Sequence, residues 1–267
     1  MSEQTAPVQN IYERVQASRR HDRPDALQFI RAIVPDFIEL HGDRRFADDA
    51  AIVAGLGTLS GQPVTVLALE KGENNADRLR RNFGSAQPEG YRKTLYQLRQ
   101  AEKFRRPVLC FVDTAGAACG IGAEERGQGS AIAENLWELM GLHVPVISLI
   151  IGEGGSGGAL ALATANRVYM LDDAIYSVLS PEGAASIIWK DAGRVQEASE
   201  SLRLTAQDML DLRVIDGIVP QGQSQAGTLD AARAAMTRAL AQLKAIPPER
   251  LRRERYLRFR GLGVLIS

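Results

Sequence analysis

Gly152-Glu-Gly-Gly-Ser-Gly-Gly-Ala-Leu160 is the stretch that decides how this chain folds. It joins an apolar run of strand length, Val144–Ile151, to small residues that can begin a helix. Five of its first seven residues are glycine, although each glycine costs roughly 0.5–1 kcal/mol relative to alanine in a regular element. Such a run indicates that a ligand approaches bare backbone, with N–H groups at a helix start directed at a negatively charged oxygen.

Two side-chain or cofactor mechanisms compete for this turn. The pattern Gly154-x-Ser156-x-Gly158 matches the nucleophile elbow of serine hydrolases, which takes its histidine base from later in the chain. All three histidines of this chain precede the serine. The pattern Gly152-x-Gly154-x-x-Gly157 matches a dinucleotide-binding fingerprint, and two aspartates, Asp172 and Asp173, follow at about the required twenty residues.

A third mechanism needs no catalytic side chain. Main-chain N–H groups near Gly157 and Gly158 would form an oxyanion hole for a developing negative charge. A phosphate-cradling P-loop is excluded, because Gly158 stands where that motif requires lysine. The local residues favour the oxyanion hole, and they leave the dinucleotide site and a purely structural close-packing turn open.

A second glycine turn follows another short apolar run, Val108–Val112. It reads Asp113-Thr-Ala-Gly-Ala-Ala-Cys-Gly-Ile-Gly122 and leads into a helical pattern over 123–142, with apolar residues at spacings of three and four. The chain therefore contains two successive strand, glycine turn, helix units. We expect both turns to face one pocket, one holding the substrate oxygen and the other a carrier or second substrate.

Composition limits the function classes. The 267 residues are 45% hydrophobic, enough to bury a sizeable core, and the 32 basic and 32 acidic residues cancel. This balance gives no sign of general nucleic-acid binding or attraction to membrane surfaces. Two cysteines and no Cys/His cluster predict no metal on this chain and a reduced setting. Without a signal peptide or an apolar span, we expect a soluble, cytoplasmic protein.

Strand and helix patterns alternate along the chain, which predicts an α/β domain. The boundaries expected are a polar N-terminal segment over 1–24, a main domain over 25–245 and a basic, helical tail over 246–267. Within the domain, a helix is expected at 26–40 that Pro35 kinks or ends. Further expected elements are strands at 51–59, 64–69 and 174–179, a helix from Pro88 and a helix at 181–190.

Six longer motifs resemble one known family, the alpha subunit of the bacterial acetyl-CoA carboxylase carboxyltransferase, in its short form. In the order of that family they are His41-Gly-Asp-Arg-Arg-Phe-Ala-Asp-Asp49, Arg81–Gly84, Pro88–Lys93, Gly122–Gln128, Ile151–Leu160 and Ser180–Gly183. The resemblance implies a crotonase-type (ClpP/crotonase-like) spiral of strand–strand–helix units over 25–245, with helical N- and C-terminal extensions. It also selects the oxyanion hole among the mechanisms proposed for the glycine turn.

The resemblance further implies an activity shared among several chains. The carboxyl group would move from carboxybiotin on a separate biotin carboxyl carrier protein to acetyl-CoA, giving malonyl-CoA in the first step of fatty-acid synthesis. A zinc-bearing beta subunit would complete an alpha2-beta2 heterotetramer. This chain has no Met-Lys-Met biotin-attachment site and no cysteine cluster, so biotin and zinc are expected on other chains.

Site residues follow from the same resemblance. Gly157 and Gly158 would be catalytic, donating backbone N–H bonds to the ureido oxygen of biotin. The residues expected to line the biotin or substrate site are Gly154, Gly155, Ser156, Gly116, Ala117, Gly120 and Gly122. Contacts with coenzyme A or the carrier are expected from Arg80, Arg81 and Arg92, for which a solvated basic face is the competing interpretation.

The second glycine turn departs from the family pattern. Where the family commonly has Gly-Ala-Tyr-Pro-Gly, this chain has Gly116-Ala-Ala-Cys-Gly120. Losing proline and an aromatic ring predicts a looser turn and a different pocket wall. Two alternatives therefore remain: a paralogous carboxyltransferase for another acyl-CoA, and a non-catalytic crotonase-like assembly subunit.

Overall fold

The structure, a computed structural model, describes residues 10–263 of the chain. One mixed sheet of eight strands forms its centre. The strands are β1 (Ile38–Glu39), β2 (Ile52–Leu59), β3 (Gln62–Leu69), β4 (Val108–Thr114), β5 (Val146–Gly155), β6 (Arg167–Leu171), β7 (Ile175–Ser177) and β8 (Gly217–Val219). The order across the sheet is β1-β2-β3-β4-β5-β6-β8, and β7 pairs with the end of β5.

Strand direction divides the sheet into two parts. β1, β2 and β3 pair antiparallel, and the two-residue turn Ser60-Gly61 joins β2 to β3. From β3 onward every pair is parallel. Parallel strands are covered on both faces, and accordingly every residue of β4 except Asp113 is buried.

Twelve α-helices surround the sheet in the described part of the chain. They are α1 (Ile11–Ser18), α2 (Ala26–Ile33), α3 (Asn75–Arg80), α4 (Pro88–Lys103), α5 (Ile121–Glu125), α6 (Gln128–Gly141), α7 (Ser156–Ala163), α8 (Pro181–Ala184), α9 (Val195–Leu202), α10 (Ala206–Asp211), α11 (Gln225–Lys244) and α12 (Pro248–Gly261). Short 3₁₀ turns lie at Asn82–Gly84 and Ala192–Arg194, and a π-helical turn lies at Ala185–Trp189. Within residues 10–263, no helix combines the length and apolar character that crossing a bilayer demands.

Several predicted boundaries were wrong. The helix predicted over 26–40 stops at Ile33, and residues 38 and 39 pair with β2 instead, because Pro35 has no N–H to continue the helix. The helix predicted over 123–142 is divided at Gly127, whose φ of 81° is left-handed. The helix predicted over 181–190 changes to π-helical geometry after Ala184.

Near both ends of the described range, residues 10–263, the chain is more structured than its polar composition suggests. Within the segment predicted as polar, 1–24, the first helix α1 buries Val15 against Ile175 and Leu204. Residues 1–9 lie outside the described part. Within the predicted basic tail, 246–267, residues 248–261 form α12, and residues 264–267 lie outside the described part.

Candidate functional site

The two glycine turns lie side by side at the ends of neighbouring parallel strands. Thr114 at the end of β4 pairs with Gly154 near the end of β5. A Cβ atom built on Gly155 would lie 2.1 Å from the Ala115 carbonyl oxygen, and one built on Gly158 would lie 2.5 Å from the Ala117 nitrogen. These distances leave no room for a side chain, so glycine is required at both positions for the turns to meet.

Helix α7 begins inside the first glycine turn. Gly155 is its N-cap, Ser156 its first residue, and Gly157 and Gly158 its second and third residues. No side chain in the described chain caps this helix start. Because N–H groups in the first turn of a helix have no intrahelical acceptor, they and the positive end of the helix dipole favour a negatively charged ligand.

A pocket of about 310 Å³ opens in front of this helix start. Ser156, Gly157 and Leu160 form one side of it, and Gly157 is half-buried there, whereas Gly158 is buried behind it. The remaining wall is mainly apolar. It comprises Tyr176, Ser177, Val178, Leu202, Met209 and Val214.

The second turn contributes fewer of its predicted residues to this place. Gly116 and Ala117 are half-buried against Gly158, whereas Gly120 and Gly122 are exposed near the start of α5. Of the four residues predicted in this turn, the structure therefore brings Gly116 and Ala117 to the start of α7, but not Gly120 and Gly122.

The altered turn is fastened by hydrogen bonds despite lacking the aromatic and the proline. Ala118 N–H donates to the Ala86 carbonyl oxygen over 3.0 Å. The Gln128 amide donates to the carbonyl oxygens of both Ala86 and Ala118. These hydrogen bonds attach the 116–120 turn to Ala86 and to Gln128, the first residue of α6. They therefore limit the looseness predicted for this turn.

A group of buried charges lies behind the glycine turn. Glu153 accepts hydrogen bonds from Arg19 and Lys71, and Lys71 also contacts Asp113, at 2.9 Å. Burial raises the pKa of Glu153, but the Lys71 and Arg19 cations outweigh it and hold that pKa below its usual value. Sequence reasoning missed this group, although a glutamate inside a glycine run is a signal that could have directed attention to it.

A tyrosine hydroxyl lies beneath the same turn. A Cβ atom on Gly158 would approach the Tyr91 hydroxyl to 2.9 Å. This hydroxyl is buried and has no hydrogen-bond partner among the described residues. Burial, with a smaller contribution from Asp49, raises the pKa of Tyr91, so the group stays protonated.

Two of the three arginines predicted to contact coenzyme A or the carrier are used inside the subunit. Arg81 donates to Asp77 and to the Ala50 carbonyl oxygen, and its side chain is 9% exposed. Arg92 donates to Asp43 and Glu89 and is similarly buried. Arg80 pairs with Asp77 on the surface, with 58% of its side chain exposed. Of the three, only Arg80 presents an accessible cation.

The alternative mechanisms for the turn find little support in the geometry. The three histidines have other partners: His21 contacts Arg78, His41 contacts Asp48, and His143 contacts Glu102. Asp173, the candidate ribose ligand of the dinucleotide interpretation, pairs with Arg23. Among residues 10–263, no group of three or more His, Cys, Asp or Glu side chains is arranged to hold a metal ion.

Solved structures define the class of this fold. It is similar to transcarboxylase 12S with methylmalonyl-coenzyme A bound, with a TM-score of 0.72 and 19% identity over 85% of this chain and 42% of that one. It is also similar to a Pseudomonas malonate decarboxylase hetero-tetramer in complex with coenzyme A, with a TM-score of 0.69 and 20% identity over 88% of this chain and 92% of that one. The predicted crotonase-like fold is therefore confirmed.

Sequence relatives then give the family. A family model described as acetyl co-enzyme A carboxylase carboxyltransferase-like matches residues 3–263. The acetyl-coenzyme A carboxylase carboxyl transferase subunit alpha of Ruminiclostridium cellulolyticum is 61% identical to this chain, over 79% of this chain and 82% of the relative. The subunit alpha of Clostridium perfringens (strain ATCC 13124) is 51% identical to it, over 98% of each chain. The chain belongs to this family of carboxyltransferase alpha subunits, as the motifs predicted.

Proposed function

We propose that this chain transfers the carboxyl group from carboxybiotin to acetyl-CoA, giving malonyl-CoA, and that Gly157 and Gly158 carry the catalysis. The observation that supports it most strongly is the uncapped start of α7, which opens on a pocket where Gly157 is accessible. In this proposal a separate carrier protein brings the biotin, and a zinc-bearing beta subunit joins the chain in an alpha2-beta2 assembly in the cytoplasm. The family membership supports a multi-subunit enzyme.

Backbone amides suit the charge that develops in this reaction. The N–H groups of Gly157 and Gly158 would donate to the ureido oxygen of biotin, where negative charge accumulates as the carboxyl group leaves. These donors are held in place by the helix and need no reorganisation during the reaction. Loss of one such donor costs about 3 kcal/mol of transition-state stabilisation, roughly a hundredfold in rate.

The surroundings of the turn strengthen this interaction. The pocket wall is formed largely by apolar side chains, such as Val178 and Met209. Apolar surroundings lower the local dielectric constant, which strengthens the interaction of each N–H dipole with a negative charge. The beta subunit's corresponding turn would hold the enolate oxygen of acetyl-CoA. No base from this chain is required, because in this proposal the biotin itself takes the substrate proton.

A matched set of glycine variants tests the proposal. The chain is assembled with a beta subunit from a family relative, and carboxyl transfer between malonyl-CoA and a free biotin derivative is measured. Gly157→Pro deletes one N–H in the first turn of the helix, where no intrahelical hydrogen bond is lost, and should lower the rate about a hundredfold. Gly157→Ala retains that N–H and meets only Ile132, at 3.8 Å, so it should retain far more activity than Gly157→Pro.

Two further variants control for folding. In Gly158→Ala the new methyl group collides with the Ala117 backbone, so both stability and rate should fall. Gly129→Ala places its methyl group in open space on α6 and should change neither assembly nor rate. Thermal unfolding verifies that Gly157→Pro is folded. A folded Gly157→Pro assembly with the rate of Gly157→Ala would refute the catalytic role of the amides, and an inactive unmodified assembly would favour a non-catalytic subunit.

The altered second turn supports one competing substrate assignment. Ala118 and Cys119 stand where the family commonly has an aromatic and a proline, so the side chains of this turn are smaller than usual. A paralogous carboxyltransferase for another acyl-CoA would keep the same catalytic glycines. Measuring kcat/KM for acetyl-, propionyl- and butyryl-CoA separates the two, because the proposed function requires acetyl-CoA to be the best substrate.

A further inference from the structure

Glu153 is the only charged residue inside the glycine run, and it is held by two cations from distant parts of the chain. Its side chain is 9% exposed. Arg19 Nε donates to its Oε1 atom over 2.7 Å, and the Lys71 ammonium donates to its Oε2 atom. One carboxylate thus connects Arg19, the residue that follows α1, with Lys71, which lies two positions after the end of β3.

The same charges connect the ends of neighbouring strands. Asp113, near the end of β4, accepts the Glu153 backbone N–H over 2.9 Å and lies 2.9 Å from the Lys71 ammonium. A Cβ atom on Gly152 would lie 2.4 Å from the Asp113 carboxylate. The carboxylate of Asp113 is therefore packed directly against the backbone that leads into the glycine turn.

Arg19 continues this connection to the segment that follows the pocket wall. Its two terminal nitrogens donate to the two carboxylate oxygens of Glu182, at 2.6 and 3.2 Å. Glu182 belongs to α8, which begins three residues after Val178 of the wall. A planar guanidinium can bridge two carboxylates in this way, and an ammonium cannot reproduce the geometry.

Stability alone is a weak reason to bury such charges. Desolvation offsets much of the attraction within a buried ion pair, and packed apolar residues often serve stability equally well. The charges also lie on the turn proposed to stabilise a negative oxygen, where an unpaired Glu153 would oppose that charge. The pairing therefore has two effects: it neutralises Glu153 and it connects the glycine turn to α8, which follows the pocket wall.

We infer that Arg19 is a positioning residue for carboxyl transfer, holding the glycine turn and the start of α8 together through Glu153 and Glu182. This inference rests on the proposed function. The Arg19 side chain does not need to touch the substrate. Its loss should displace the amides relative to the pocket, and misplacement by about 1 Å can cost a hundredfold in rate.

The test compares variants in the complete assembly with the beta subunit. Arg19→Met should lower kcat by about tenfold to a hundredfold while the KM for acetyl-CoA stays unchanged, because the bound substrate is not contacted. Arg19→Lys should recover part of kcat, since its ammonium can pair with one carboxylate. The matched control is Arg20→Ala, which removes an exposed pair with Asp22 and should change kcat by less than about twofold.

A double variant separates positioning from a general loss of structure. If Arg19 acts through Glu153, Arg19→Met combined with Glu153→Gln should lose less activity than the product of the two single losses. Fully additive losses, an unchanged kcat in Arg19→Met, or an equal loss in Arg20→Ala would each overturn the inference. If the unmodified assembly shows no carboxyl transfer, the proposed function fails first; if it is active and Arg19→Met matches it, only the role of Arg19 is wrong.

Discussion

At the scale of a single residue, substitution of Ser156 distinguishes catalysis by backbone N–H groups from catalysis by a side chain. It is exposed, it starts α7, and its φ of 53° is unfavourable for a residue with a side chain. Ser156→Ala should retain the rate of carboxyl transfer, because only main-chain N–H groups are required. A loss of several orders of magnitude would instead identify the hydroxyl as a nucleophile.

The backbone of the same residue gives an independent control for that experiment. Ser156→Gly relieves the left-handed conformation and should raise the free energy of unfolding by about 1 kcal/mol. Urea unfolding measures the change. Together the two substitutions show whether serine is present for its hydroxyl or is merely tolerated in a strained position.

Close approach at the glycines could be predicted from sequence, but the surface they approach could not. Five glycines in seven residues indicate that side chains are excluded. The structure shows that a side chain at Gly155 or Gly158 would collide with residues 115–117, about forty positions earlier. Of the five glycines in this run, only Gly157 could take a Cβ atom that meets no atom closer than 3.8 Å. The parallel pairing of β4 with β5 decides this division, and no local pattern contains it.

At the scale of secondary structure elements, α12 also shows that a sequence pattern can predict a helix without predicting its contacts. Its six arginines predicted a basic helix, and the residue pattern did not show which of them would be internal. Arg255 is fully buried and donates to the carbonyl oxygens of Leu139, Leu142 and Val144 and to the Asn166 side chain. Arg255 thus caps the C-terminal end of α6, where a cation is favoured by the helix dipole.

Removal of Arg255 should detach α12. Arg255→Met fills the same space but leaves several buried acceptors unpaired, so the free energy of unfolding should fall by about 3 kcal/mol or more. Hydrogen exchange over residues 248–261 should increase at the same time. The exposed neighbour Arg252→Met should leave both measurements unchanged, and equal effects from the two variants would contradict a capping role for Arg255.

At the scale of the whole molecule, strand and helix alternation predicted the α/β class, and the motifs predicted the carboxyltransferase fold. Contacts between distant segments were beyond such reasoning. Arg19 and Glu182 are 163 positions apart, and their pairing depends on α1 packing against the end of the sheet, in a segment that was predicted only to be polar. Local patterns specify elements, whereas long-range ion pairs require the finished topology.

Glu70 gives the whole fold a pH-dependent stability. It is fully buried, and it accepts the backbone N–H groups of Leu27 and Gly72 at 2.8 and 2.6 Å. Burial, reinforced by the nearby Asp25 carboxylate, raises the pKa of Glu70 from 4.5 to about 7. The folded protein therefore keeps this proton over a pH range in which the unfolded chain has already released it.

The sign of the effect follows from proton counting. Between pH 4.5 and about 7 the folded state binds more protons than the unfolded state, so the free energy of unfolding falls as the pH rises. Over the full range Glu70 should account for a loss of about 3 kcal/mol. Glu70→Gln cannot titrate, so urea unfolding between pH 5 and 8 should show a smaller decline for it than for the unmodified chain. The exposed neighbour Glu73→Gln should retain the original decline, and identical slopes for the unmodified chain and Glu70→Gln would show that Glu70 titrates normally in the folded protein.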